Sequence, residues 1–107
     1  MVNIQYGSSG SQYLYFNLLR GGTSIGIGDT AGSRLRVSSS GSAANTSAVT
    51  TAGLTFIDSP STTSATTYKM QMSTTSGTSH VNRSNTDSDS TIYGRPISTI
   101  TLMEIGA

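Results

Sequence analysis

The side chains that could perform acid–base, nucleophilic or metal chemistry are few and widely spaced. His80 is the only histidine, Glu104 is the only glutamate, and cysteine is absent from the 107 residues. A zinc site would need one imidazole plus carboxylates, and a catalytic carboxylate pair would need Glu104 beside an aspartate from a loop or turn. Serine is so abundant that a Ser-His-Asp set can be chosen by chance. The sequence therefore predicts no catalytic residues, and we do not expect an enzyme.

Two short motifs resemble ligand-binding loops without completing them. Residues 26–31 fit the dinucleotide pattern G-x-G-x-x-A, but residues 32–37 indicate a turn and a strand instead of the helix that a pyrophosphate requires. Residues 87–90 resemble the start of a calcium loop, but Ile92 and Ser98 stand where an EF-hand needs Gly and Glu. We interpret the first as a glycine-rich turn and the second as a solvated loop, with a surface cation site as its alternative. No cofactor and no metal are predicted.

The composition favours a small β domain and argues against two classes of partner. Charged residues make up 10% of the chain, hydrophobic residues make up 34%, and the formal net charge is only +1. The basic residues are scattered, so the clustered positive charge of a nucleic-acid-binding surface is missing. No apolar run reaches the length of a membrane span, so we expect no membrane insertion.

Short alternating stretches predict about eight strands, separated by turn residues. We expect strands around Ile4 and Tyr6 and in residues 13–19, 23–27, 34–37, 49–57, 64–73, 78–83 and 97–105, with a brief pairing at 92–93. Leu35 is expected to point inward. This spacing is typical of an antiparallel sandwich or barrel. Residues 1–107 are expected to form a single all-β domain in which residues 1–10 are a short lead-in.

Two of the predicted strands carry large apolar side chains on both faces. In residues 97–105, Ile100 and Leu102 lie on one face of the strand, and Met103 and Ile105 lie on the other. Residues 13–19 also carry large apolar side chains on both faces. A strand with one solvent-exposed face should carry its apolar residues at alternate positions, on the other face only. Because the core of so polar a chain is thin, we expect the second apolar face of these strands to lie against another subunit.

Glu104 is the one carboxylate on the final strand. A carboxylate on a buried strand needs a partner, because an unpaired buried charge is costly. Glu104 is therefore expected to form an ion pair with Arg34, Arg36 or Arg95.

A carbohydrate-binding surface is the rival prediction to a purely structural role. Tyrosine offers an apolar face with a polar handle, which suits sugar stacking when asparagine and aspartate lie nearby. The residues that could make such a glycan contact are Asn85, Asp87, Asp89 and Tyr93.

Three stretches resemble a small jelly-roll module found in structural proteins of tailed bacteriophages. They are residues 13–28 (YLYFNLLRGGTSIGIG), 54–72 (LTFIDSPSTTSATTYKMQM) and 82–105 (NRSNTDSDSTIYGRPISTITLMEI). The most specific pieces are the Asp-Ser-Pro turn, the Thr-Tyr-Lys strand, the Asn-Arg-Ser step and the closing Ser-Thr-Ile-Thr-Leu-Met-Glu-Ile. The resemblance covers most of the chain beyond the first ten residues.

The resemblance implies an antiparallel jelly-roll β-sandwich that assembles as a homotrimer of the tumour-necrosis-factor and C1q type. It implies a place in the virion, either on the capsid exterior, bound to the major capsid protein, or at a fibre tip, bound to the fibre shaft. Decoration or cementing of the capsid is expected if the chain is a whole gene product. A fibre or spike tip that binds a host-surface glycan is expected if it is an excised domain.

The expected trimer contact follows from the faces left over once the core is filled. In a jelly roll the first and last strands commonly lie side by side, so residues 13–19 and 97–105 are expected to form one patch. Its residues are Tyr13, Tyr15, Leu19, Thr101, Met103 and Ile105.

Overall fold

Eight β-strands make up the regular structure of the computed structural model, which describes residues 1–106. They are β1 (Val2–Ser8), β2 (Leu14–Arg20), β3 (Thr23–Ile25), β4 (Ser39–Gly41), β5 (Thr50–Leu54), β6 (Tyr68–Thr74), β7 (Ser79–Val81) and β8 (Thr99–Ile100). No helix occurs in this described part of the chain, and so none that could cross a membrane. The predicted all-β class and the number of strands are confirmed.

The strands form two four-stranded antiparallel sheets that make a β-sandwich. In the first sheet β1 is central: β5 pairs with one edge, and β7 and β8 lie end to end along the other. In the second sheet β2 is central: β6 pairs with one edge, and β3 and β4 lie end to end along the other. Each sheet therefore has one continuous and one split neighbour around a central strand.

A serine hydroxyl fills the gap in each split edge. Between β3 and β4, Ser38 Oγ accepts a hydrogen bond from the Leu18 N–H at 2.9 Å and donates to the Ile25 carbonyl at 3.1 Å. Between β7 and β8, Ser98 Oγ accepts a hydrogen bond from the Gln5 N–H at 2.9 Å. Each hydroxyl takes the place of a carbonyl acceptor, so the central amide is satisfied although the neighbouring strand is interrupted.

The core comes from alternate side chains of the two central strands. Val2, Ile4 and Tyr6 of β1 pack in one cluster with Leu14 and Phe16 of β2, and none of the five is more than 7% exposed. The Tyr6 and Phe16 rings have centroids 5.1 Å apart. Full burial of a side chain of this size contributes about 1.5–3 kcal/mol, so these two strands supply much of the hydrophobic stabilisation.

Four details of the predicted strands are wrong. Residues 1–10 are not a lead-in, because they contain β1, the centre of the first sheet. Residues 34–37 are loop with Leu35 exposed, since the pairing with β2 is made instead by β4. Residues 92–93 lie in a turn, and the strand expected over residues 97–105 is reduced to β8.

The sandwich is closed along one side and open along the other. On the closed side β4 contacts β5. On the other side a cavity of about 380 Å³ opens between β6 and the row formed by β7 and β8. Val81 and Ile100 pair directly with Tyr6 and Val2, so they share the core face, yet both stay nearly half exposed. The hydrophobic layer therefore continues to a surface that one chain leaves uncovered.

The molecule exposes more surface than a compact monomer of its mass. Its accessible area is 6988 Å², whereas a folded monomer of 11.1 kDa is expected to expose roughly 5,700 Å². Its radius of gyration is 15.6 Å, against roughly 13 Å for a compact domain of this length. The fold is a flat slab measuring 49 × 36 × 18 Å.

Candidate functional site

The open side of the sandwich is an apolar groove, which we call the inter-sheet groove. Its apolar lining consists of Val2, Ile4, Met70, Met72, Val81 and Ile100. One lip of the groove is β6, which pairs only with β2 among the strands of the described chain. The other edge of β6 therefore presents backbone N–H and C=O groups, which form a template for a further strand.

The lip of the groove carries the chain's only lysine. Lys69 and Gln71 alternate along β6 with Met70 and Met72, and they are exposed while the methionines are partly buried against the core. Every ion pair found among residues 1–106 is made by an arginine, so the Lys69 ammonium has no carboxylate partner there. The groove thus has an apolar floor and a cationic lip.

An apolar segment leaves the sandwich beside this groove; we call residues 102–105 the C-terminal segment. Thr101 is tied to Met1 by two backbone hydrogen bonds of 2.8 Å, which extend the pairing of β8 with β1. Beyond that point Leu102, Met103 and Ile105 are 61%, 85% and 80% exposed. Within one chain, the segment therefore keeps its large apolar side chains in water.

The residues predicted at a trimer contact differ in how far their side chains are exposed to solvent. Thr101, Met103 and Ile105 are exposed, in or next to the C-terminal segment. Tyr13 is exposed and Tyr15 is half-buried, both at the start of β2.

Leu19 is the exception in this set. It is only 5% exposed, so the chain itself already covers its side chain. Leu19 therefore offers almost no surface to a neighbouring subunit.

The expectation that residues 13–19 and 97–105 form one patch is wrong. The strand β2 lies in the second sheet, whereas β8 lies in the first. Thr101 lies beside Met1, before β1 begins, and Tyr13 follows the end of β1. The length of β1, roughly 20 Å for seven residues, therefore separates Tyr13 from Thr101. Alternation indicates which faces are apolar, and it carries no information on which sheet a strand joins.

The predicted ion pair of Glu104 is also wrong for the described chain. Glu104 is exposed and belongs to none of the ion pairs among residues 1–106. Of the expected partners, Arg95 pairs with Asp87, while Arg34 and Arg36 donate to loop carbonyls. The carboxylate needs no partner because its strand leaves the sheet before reaching it.

Two of the predicted glycan contacts are engaged within the protein. The Asp87 side chain is 9% exposed and lies between Arg83, with Nε 3.6 Å from Oδ2, and Arg95, with Nε 3.2 Å from Oδ1. The hydrogen bond from Arg95, reinforced by both positive charges, holds the pKa of Asp87 below its usual value. Asn85 Oδ1 lies 2.9 Å from His80 Nε2. Both side chains therefore already use oxygen atoms in contacts within the protein.

Tyr93 faces a different opening, which we call the outer pocket. This cavity of about 540 Å³ is lined by Tyr93, Arg95, Gln5 and Ser84, among others. Gln5 alternates with the core residues of β1, so the pocket lies on the outer face of the first sheet. The exposed Asp89 does not line it. The structure therefore brings Tyr93 together with an arginine and not with the predicted asparagine and aspartates.

One polar cluster was not predicted from the sequence. Arg20 Nη1 donates to both carboxylate oxygens of Asp58 at 2.7 Å, and the Tyr68 hydroxyl donates to Oδ2 at 2.6 Å. The hydrogen bond from Tyr68, together with Arg20, lowers the pKa of Asp58, and the same bond raises the pKa of Tyr68. The cluster fastens the loop after β5 to β2 and β6. The only indication of this cluster in the sequence is Arg20. It lies on the same face of β2 as the core residues Leu14 and Phe16, so its charge needs a partner.

The motifs that could carry chemistry are placed as follows. Residues 22–26 match the G-x-S-x-G pattern, but Ser24 lies within β3 opposite Leu19, whereas a nucleophile elbow needs a turn from strand to helix. His80 is bonded to an amide and not to a serine. Within residues 1–106, no three His, Asp or Glu side chains converge to hold a metal ion.

Comparison with known proteins finds no matching family model, no similar curated protein and no similar solved structure.

Proposed function

We propose that the protein is a non-enzymatic structural component of a tailed-phage virion, which assembles as a homotrimer and decorates or cements the capsid. The observation that carries this proposal is the uncovered apolar surface. Leu102, Met103 and Ile105 are among the exposed large apolar side chains. The total accessible area of 6988 Å² exceeds that of a compact monomer of 11.1 kDa by roughly 1,300 Å², and a standard interface covers about 800 Å² per partner. The excess is thus comparable to what a ring subunit with two neighbours would bury.

The assignment to a phage particle is supported by the resemblance of residues 13–28, 54–72 and 82–105. The fold is compatible with it, since these stretches contribute β2 and β3, β6, and β8 to an antiparallel sandwich. The low charge is also compatible, because a net charge of +1 gives no long-range steering toward nucleic acid. Attachment to a capsid would then depend on apolar contacts and on hydrogen bonds from serine and threonine.

Sedimentation equilibrium followed by capsid binding tests this function. We expect a species of three times the 11.1 kDa chain mass that binds emptied capsids of the phage encoding it, and immunogold labelling on the capsid face of whole particles. A monomer at every concentration would refute the assembly. Labelling confined to fibre ends would refute the capsid location.

The alternative is a fibre or spike tip that binds a host-surface glycan. The outer pocket favours it, because Tyr93 and Arg95 place an aromatic ring and a hydrogen-bond donor around one cavity. A glycan array should then show binding that Tyr93→Ala abolishes and that Tyr13→Ala, at an exposed tyrosine outside the pocket, preserves. A blank array together with capsid binding would exclude this alternative.

A further inference from the structure

We propose that the C-terminal segment of one copy adds as a strand to the free edge of β6 in a second copy and fills its inter-sheet groove. The proposal rests on the self-association inferred above and identifies the contact that produces it. The donor and the acceptor surfaces are both present on one chain, and both are apolar where they would meet.

The segment is directed away from the groove of its own chain. The strand β8 runs antiparallel to β1, with Ile100 opposite Val2 and Thr101 opposite Met1. Leu102 therefore lies past the start of β1, whereas the groove extends in the other direction, toward Ile4. To enter its own groove the chain would have to reverse, and residues 102–105 contain none of the glycine, proline or asparagine that a tight turn favours. A groove on a neighbouring copy needs no reversal.

The alternation of the segment matches the alternation of β6. Paired strands place directly opposite residues on the same face. If Met103 and Ile105 point into the groove with Met70 and Met72, Glu104 points outward on the face of Lys69. The only glutamate of the chain then meets its only lysine, and both lack an oppositely charged partner among the described residues of a single copy. The apolar alternation therefore selects the face on which Glu104 lies, and the pairing of its charge with Lys69 selects the register.

The contact uses two different surfaces, so it is heterologous. Contacts of this kind generate a closed ring when the rotation between neighbours completes a circle. In a ring of three, every copy donates one segment and accepts one, and no groove stays empty. This arrangement agrees with the proposed homotrimer.

Substitution of the segment tests the contact. The double variant Met103→Asp, Ile105→Asp should raise the dissociation constant of the assembly more than about tenfold, since buried apolar anchors dominate interfaces. The matched control is Ile57→Asp, at an equally exposed isoleucine outside the segment, which should assemble like the wild type. All three positions are exposed, and thermal unfolding of each variant at low concentration would verify that the fold is intact.

Charge reversal tests the register. Lys69→Glu and Glu104→Lys should each weaken assembly, and the chain that carries both should recover it. Failure of the double variant to recover would overturn the predicted pairing of these two residues.

The absence of cysteine allows a direct test in trans. One chain carrying Lys69→Cys and another carrying Glu104→Cys should form a mixed disulfide when combined. A mixture of Ile57→Cys with Glu104→Cys should cross-link far more slowly. A single chain that carries both Lys69→Cys and Glu104→Cys should give linked oligomers, and a monomer closed by an internal disulfide would overturn the proposal.

The outcomes separate this contact from the proposed function. If the wild type is a trimer and the Met103→Asp, Ile105→Asp variant is an equally tight trimer, the segment is not the contact and the assembly stands. If the wild type is a monomer at every concentration, the self-association itself fails.

Discussion

At the scale of single residues, the polar side chains serve mainly to fasten loops. Asp58 is held by Arg20 and Tyr68, and Asp87 is held by two arginines. These contacts engage two of the five acidic side chains of the chain in structural roles. Asp87, which the sequence indicated as a glycan contact, illustrates a general limit, since residue type alone does not distinguish a binding carboxylate from one that is already paired within the protein.

The lowered pKa of Asp58 predicts a dependence of stability on pH. Tyr68 and Arg20 lower this pKa in the folded state, so the unfolded chain takes up the proton first as the pH falls. The stabilisation is fully present above the ordinary aspartate pKa of about 3.9 and is lost as the pH falls through the folded value. Urea unfolding should show a smaller loss of stability between about pH 6 and about pH 3 in Asp58→Asn than in the wild type.

Asp89→Asn provides the control for this measurement. Asp89 is exposed and belongs to no ion pair in the described chain, so its variant should keep the wild-type fall in stability. An unchanged pH profile in Asp58→Asn would contradict the role assigned to the cluster.

At the scale of the elements, the sequence predicted strands well where large apolar residues alternate. The strand expected at residues 13–19 is β2 within one residue, because Leu14, Phe16 and Leu18 form a regular apolar row. The strand expected at residues 34–37 failed because β4 has no apolar residue and is held by backbone pairing and Ser38. The central place of β1 could not be predicted either, since strand order depends on contacts between distant residues.

The inter-sheet groove lay beyond sequence reasoning for a related reason. Its apolar residues are ordinary core residues by type, and Val81 and Ile100 stay nearly half exposed because the described chain places no further strand over this side of the sandwich. The apolar character of the C-terminal segment, in contrast, was predicted, because large apolar residues occur at positions that face both sides of the final strand. The sequence thus predicted an apolar surface on the final strand, and no pattern in it predicted the groove.

The contact between β1 and the segment after β7 makes a separate prediction. A Cβ at Gly7 would lie 2.5 Å from the Arg83 carbonyl oxygen and 2.8 Å from the Ser84 Cα, both backbone atoms. Gly7→Ala should therefore lower the free energy of unfolding by about 1–3 kcal/mol, the usual cost of overpacking. Gly22→Ala is the matched control, since nothing lies within 4 Å of its Cβ position. Equal denaturation midpoints for the two variants would contradict this close approach.

At the scale of the whole molecule, one side of a flat sandwich is open between β6 and the row formed by β7 and β8. The same chain supplies an apolar groove and an apolar segment, and neither is covered by its own residues. An isolated copy with a thin core and extra exposed surface should be only marginally stable. Assembly and folding stability are therefore expected to be coupled.

This coupling predicts a melting temperature that rises with protein concentration. Association stabilises the folded state by mass action, because unfolded chains do not associate through the groove. Differential scanning calorimetry over a wide range of concentration should show the rise in the wild type and in Ile57→Asp. In the Met103→Asp, Ile105→Asp variant the rise should begin only at a higher concentration than in the wild type. A wild-type melting temperature that does not change with concentration would contradict the coupling.

The two serine hydroxyls in the split edges have a consequence for how this chain can vary. Ser38 bonds to β2 at the end of the loop over residues 26–37. Ser98 bonds to β1 at the end of the loop over residues 82–97 and also donates to Asn82 of that loop. Loops anchored in this way can change length and sequence while the sandwich persists. We therefore expect the loop over residues 26–37, which is exposed at residues 29–36, to accommodate an inserted peptide, whereas Arg83 and Ser84 of the other loop pack against Gly7 of β1 and constrain it.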